Sequence, residues 1–221
     1  MKNLTRYLRE PVNSLTHGIG AIGALVALIL LLYEAFQRGS VSHIIAFSMF
    51  GLSMILLYTA SSLYHALPVK EQTLRLLQKL DHSMIYVLIA GTYTPLCLLV
   101  LEGSWKWGLF TTIWSLAAIG IIKKFLWMSA PRWLSTLFYL GMGWLAVIIF
   151  PTLMDKLPMA FLVWIAIGGL AYSAGAVIYG IKKPNPIPNW FGHHEIWHLF
   201  VLAGTFSHFW AIYQYLPGYG V

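Results

Sequence analysis

His194 and His198 stand four residues apart with Glu195 between them, in "HEIWH", a literal match to the H-E-x-x-H pattern of zinc metalloproteases. Two imidazoles at that spacing lie on one face of a helix, about 40° and about 6 Å apart, and can share a metal ion. A soluble zincin then needs a third ligand downstream, either a Glu some tens of residues on or a His six residues past the second. No acidic residue follows Glu195, and the sixth position past His198 is Gly204, so neither soluble scheme is satisfied; an intramembrane protease would have to take Asp81 from another span as third ligand, which leaves His65 idle. His208 lies ten residues beyond His198, about 15 Å along a helix, too far to share an ion but able to line the same interior face. Glu195 points about 100° away from His194 and reads as an accident of the pattern.

Other residues of the same chemistry recur along the chain. "SSLYHAL" places Ser61 and His65 on one helical face, Asp81 precedes His82 in "LDHS", and "EPVNSLTHG" carries Glu10, Asn13 and His17. Cys97 is the only cysteine, so a metal here must use His and carboxylate.

The elements that must position these groups are membrane spans. Of 221 residues, 59% are hydrophobic and 10% charged, where an ordinary soluble domain carries roughly 25% charged residues. Apolar runs near the roughly 20 residues a helix needs to cross a bilayer occur at about 15–36, 43–66, 82–101, 105–123, 133–153, 158–180 and 194–216. Lipid leaves the backbone no partner but its own helix, so the expected fold is all-α: an integral membrane bundle of seven transmembrane helices in one domain, residues 1–221. The fourth span is short, with Lys106 and Lys123 snorkelling outward. The first span exceeds 20 residues and lacks a small-x-small cleavage site, so it reads as uncleaved. Residues 69–80 read equally as an interfacial amphipathic helix and as a solvated connection.

Charge orients the bundle. Lys2, Arg6 and Arg9, then Lys70, Arg75 and Lys79, then Lys123, Lys124 and Arg132, then Lys182 and Lys183 put 11 of the 14 basic residues on one side. Arg38, Lys106 and Lys156 make up the other. The N-terminus is expected to be cytoplasmic and the C-terminus external. The net charge of +7 reflects this asymmetry and gives no reason to invoke nucleic acid. The expected partners are membrane lipids, with a homo-oligomer left open, and the expected location is the cell membrane of a bacterium, crossed several times.

With that orientation, the end of span 2 and the starts of spans 1, 3 and 7 meet near the cytoplasmic face. His65, Asp81, His17, His194 and His198 then share one depth, although the histidines played no part in the charge count. Three imidazoles with an adjacent carboxylate and an open position make a catalytic or water-bearing zinc site. Asp81 also reads as a plain helix N-cap, and Ser61 as bonded to its own helix. His43 and His193 read as headgroup-level polar residues. His82 lies outside the ligand set, and His17 has no assigned role.

"EPVNSLTHGIGA", "SSLYHAL", "LDHSMIYVLIAGTYTP" and "HHEIWHLFVLAGTFSHF", in that order over essentially the whole chain, resemble the haemolysin III family. This is the bacterial branch of the progestin and adiponectin receptor superfamily. The resemblance implies seven helices, a cytoplasmic N-terminus and a Zn²⁺ ion held by His65, His194 and His198, with Ser61 and Asp81 as the shared polar pair. That pattern is similar to alkaline ceramidases and implies a hydrolase of lipid amides or esters involved in membrane homeostasis, with Asp81 and Ser61 catalytic. With only about 14 residues before span 1, the chain lacks the long N-terminal domain of the animal receptors, which argues against a hormone-receptor role. Two other functions are a non-enzymatic membrane sensor stapled by zinc and, from the family name, a pore-forming cytolysin. The pore ranks last, because spans 1, 4 and 5 offer no polar stripe to line it.

Overall fold

Each helix begins or ends where charge, Gly or Pro interrupts an apolar run. The computed structural model describes residues 8–188 and 190–220, so Lys2 and Arg6 of the basic set lie outside the described residues. Eight α-helices follow in order: α1 Pro11–Arg38, α2 Val41–Ala66, α3 Glu71–Pro95, α4 Gly103–Leu126, α5 Arg132–Trp144, α6 Phe150–Lys156, α7 Met159–Ile181 and α8 His193–Tyr215. No strand occurs among the described residues; the one β-bridge pairs Ile187 with Phe191 in the turn before α8.

Pro11 opens α1 at a position where no helical N–H is needed. Gly39 closes it in the left-handed conformation, φ 63°, which glycine adopts without a side-chain clash. In the middle of α1, Ile19, Ile22, Leu25 and Ile29 are all more than half exposed. An apolar surface that continuous is stable against lipid, not water.

Five helical segments are long and apolar enough to cross a membrane: Pro11–Arg38, Val41–Ala66, Glu71–Val100, Gly103–Leu126 and Met159–Ile181. The pair Arg132–Val147 and Phe150–Lys156, bent by 45°, makes a sixth if counted as one span. Helix α8 has 23 residues but is not among them, because His193, His194, Glu195 and His198 dilute its first turns.

Two expectations change. Residues 71–80 form no separate interfacial element; they are the first turns of α3, which runs unbroken through Asp81 to Pro95. The span expected at 133–153 is not one straight helix. It breaks through a 3-10 turn at Leu145–Val147 before α6 resumes with Pro151 in its first turn. Tyr93 of α3 holds this break: its hydroxyl accepts from the Ala146 N–H at 2.7 Å and donates to the Gly143 carbonyl at 2.6 Å, with the Met142 carbonyl at 3.0 Å. The break frees backbone groups inside the bundle, and one phenol satisfies several of them.

Helices α1, α2 and α3 pack in sequence, α4 lies on α3, and α8 lies between α7 and α1, closing the bundle. Helix α5 touches α3, α4 and α7 only lightly. The space left beside it is a cavity of about 910 Å³ reaching from α3 to α8.

Candidate metal centre

The last turn of α2 delivers His65, and the first turns of α8 deliver His194 and His198. One donor nitrogen from each lies within 4.8 Å of the other two, and the three could hold a metal ion. Nε2 of His65 and Nε2 of His194 are 3.4 Å apart. A tetrahedral ion with metal–nitrogen distances of about 2.0–2.1 Å holds its ligand atoms about 3.3–3.4 Å from each other, so this pair already stands at an ion's edge length.

The nitrogens that face away are tied. His65 Nδ1 lies 2.6 Å from Glu10 Oε2, which makes Nδ1 the protonated nitrogen and leaves the Nε2 lone pair free toward the cluster. His198 Nδ1 lies 3.4 Å from the Thr16 hydroxyl. That hydroxyl donates to carbonyls of its own helix and is left to accept. An outward nitrogen held by a carboxylate or hydroxyl is the usual way a ligating imidazole is oriented.

Glu10 is gripped in turn. Its N–H donates to the His65 carbonyl at 2.9 Å, the Arg9 N–H donates to Ala66 at 3.1 Å, and the Arg9 guanidinium donates to Tyr64 at 2.7 Å. The end of α2 leaves carbonyls without helical partners, and residues 9 and 10 cover them. Burial alone would raise the Glu10 carboxyl's pKa; the hydrogen bond from His65, the Arg9 charge and the Asn13 amide outweigh it and hold the group below its ordinary value. The Asn13 amide donates to Glu10 Oε2 at 3.1 Å and to Glu195 Oε1 at 2.8 Å. Glu195 thus has work the sequence did not reveal: its other oxygen accepts from the Gly192 N–H at 2.8 Å, capping α8 while Asn13 ties it to α1.

His17 joins the cluster as a fourth imidazole. Its ring stacks on His198 with centroids 3.7 Å apart and planes 11° apart, and neither of its nitrogens has a partner among the described residues. His208 donates from Nε2 to the Ile165 carbonyl at 3.1 Å, well away from the cluster. His43 departs from the headgroup-level expectation: it is fully buried, its ring beside the carbonyls of Leu216, Pro217 and Tyr219.

Asp81, in the third turn of α3, is 8% exposed, and Ser61 is 2% exposed. They adjoin each other, with His65 beside the Asp81 carboxyl. Both line the large cavity, as do His194 and His198. Apart from this polar end, the cavity wall is mainly Leu, Ile, Ala and aromatic side chains. A concave apolar space with a few convergent polar groups is the usual form of a small-molecule site.

The family described as Haemolysin-III related matches residues 5–209. The chain belongs to that family. It is 40% identical over 219 residues to Hemolysin-3 of Bacillus cereus, covering 98% of this chain and 96% of that protein. It is 42% identical over 206 residues to the Hemolysin-3 homolog of Bacillus subtilis (strain 168), covering 93% of each. The human monocyte to macrophage differentiation factor is similar at 30% identity over 171 residues, 76% of this chain and 68% of that one. With several helices apolar enough to cross a membrane and membership of this family, the chain is a multi-pass membrane protein, and its outward apolar faces contact lipid.

Proposed function

We propose that this haemolysin III protein is a zinc-dependent hydrolase of lipid acyl bonds, seated in a bacterial plasma membrane with seven spans, a cytoplasmic N-terminus and an external C-terminus. The observation that carries the reading is the convergence of three imidazole nitrogens at the end of one mainly apolar cavity, with His194, His198, Asp81 and Ser61 on its wall and His65 beside Asp81. His65, His194 and His198 are the proposed ligands, and a set of nitrogens with no thiolate suits Zn²⁺. Bound there, zinc would lower the pKa of a water toward about 7 and polarise a carbonyl.

The rest of the chemistry falls to the chain's own groups. Asp81, buried and beside His65, accepts the proton of the attacking water. Ser61 donates a hydrogen bond that orients that water or steadies the developing oxyanion. The apolar walls hold the acyl chain and keep bulk water from the reacting carbonyl.

A second reading has its own support. The cluster joins the ends of α2 and α8, and the Glu10 and Asn13 contacts add α1, so zinc would also serve as a staple in a protein that senses membrane state. A cytolysin has only the haemolysin names of the family and its Bacillus relatives behind it, and it ranks third.

Asp81→Asn separates the first two. Metal content and melting temperature should stay near those of the wild type while release of fatty acid from a lipid ester or amide falls about 10²-fold or more, the usual scale for a general base. Unchanged turnover would remove Asp81 from its role. His65→Ala should lower zinc content under either reading, and wild-type protein purified with no zinc would refute the centre.

A further inference from the structure

The cavity wall carries two cations that the proposed hydrolysis does not use. Lys124, in the last turns of α4, is 6% exposed, and Arg132 opens α5. Both line the cavity, and both are close electrostatic neighbours of His82. A lysine present only to satisfy the inner charge bias would snorkel its ammonium into water. Lys123 beside it is partly exposed, but Lys124 turns inward.

Its ammonium has three donors and, among the described residues, one contact near hydrogen-bond distance, His82 Nδ1 at 3.4 Å, with the Asp81 carboxylate as an electrostatic neighbour farther off. The Arg132 guanidinium lies over the Tyr179 ring, 6.0 Å from its centroid, and forms no ion pair among the described residues. On the same wall, one turn beyond Arg132, Ser135 is buried, its hydroxyl beside that of Tyr86. Asp81 is the one carboxylate among the cavity's lining residues, and it stands beside His65 and Ser61. The buried Lys124 and the exposed Arg132 face one carboxylate, which Lys124 shares with His65, so this end of the cavity is short of negative charge. A buried ammonium with no carboxylate within ion-pair distance is costly unless something anionic completes it.

We propose that Lys124, Arg132 and Ser135 form a subsite for the phosphate of a lipid headgroup, which makes the substrate an anionic phospholipid instead of a neutral lipid. The inference rests on the hydrolase reading for the word substrate, though not for the binding. A phosphate offers several acceptor oxygens, which suit an ammonium, a guanidinium fork and a hydroxyl together. The cavity extends along α3 from Gln78 to Leu96, about 27 Å of helix, enough for a long acyl chain below the headgroup. Lys124 lies 3.4 Å from His82 and His82 Nε2 lies 3.9 Å from Asp81 Oδ2, so the subsite adjoins the polar end of the cavity through His82 and shares no residue with the three-histidine cluster.

Native mass spectrometry of the protein in neutral detergent tests this with lysophosphatidic acid, monoacylglycerol of the same chain length and inorganic phosphate alone. Lysophosphatidic acid should bind about tenfold tighter than the neutral analogue, the scale of one charge-assisted hydrogen bond. The preference should vanish in Lys124→Met and in Arg132→Gln, and persist in Lys124→Arg and in Arg75→Gln. Equal binding of the two lipids by wild type, or a preference that survives both Lys124→Met and Arg132→Gln, overturns the subsite. Complete competition by inorganic phosphate at equal concentration overturns the lipid assignment in favour of a free-anion site. Released fatty acid is scored in the same samples. A Lys124-dependent preference with no hydrolysis sinks the hydrolase reading alone, and hydrolysis with no preference sinks this inference alone.

Discussion

In the proposed metal centre, Glu10 stands behind the ligand His65. Its carboxylate fixes the tautomer of His65 from 2.6 Å while its own backbone is bound to the carbonyl of the same residue. Glu10→Gln keeps the shape and removes the charge, so zinc affinity should fall about 10- to 100-fold, as it does when such outer partners are lost. Competition with a chromophoric chelator measures this, and a constant within twofold of wild type would show that Glu10 does not orient the ligand. The three histidines were legible in the sequence because a spacing of four and a common depth are properties of helices alone. Glu10 and Glu195 were not, although "EPVN" placed Glu10 and Asn13 three apart. Their roles depend on how residues 9 and 10 fold back over the end of α2, and no periodicity encodes that. His43 was misjudged for a related reason: its burial comes from the turn after α8, some 170 residues away in the chain.

At the scale of elements, hydropathy located most helices to within a few residues, because lipid allows an apolar segment no other secondary structure. It did not show the break in 133–153. Pro151 is harmless in the first turn of a helix, and the freed backbone groups before it are satisfied by Tyr93, a residue of another helix. Tyr93→Phe should therefore leave the Ala146 N–H and the Gly143 carbonyl unpartnered in an apolar interior, at a cost of about 1–3 kcal/mol. Thermal unfolding in detergent would register this as a lower melting temperature; an unchanged value would mean that the break is held by something other than the phenol. Helix α3 was cut too late in the sequence because Lys70, Arg75 and Lys79 look like a loop to a hydropathy scale, yet charged turns continue a helix readily once it leaves the hydrocarbon.

For the whole molecule, the arrangement of inner charge is a prediction about sidedness. Cys97 is buried and is the only cysteine, so a Cys97→Ser background is silent to thiol reagents. In that background Lys182→Cys should be shielded from an impermeant maleimide in intact cells, and Arg38→Cys should be labelled; the reverse pattern would invert the proposed topology. The Asn13 to Glu195 bond joins residues 182 apart, and His65 meets His194 across 129 residues. During synthesis, then, α1 and α2 enter the membrane holding only part of the proposed site. An ion bound as proposed could be captured only after α8 has joined them, so metal loading would report that α8 has been inserted.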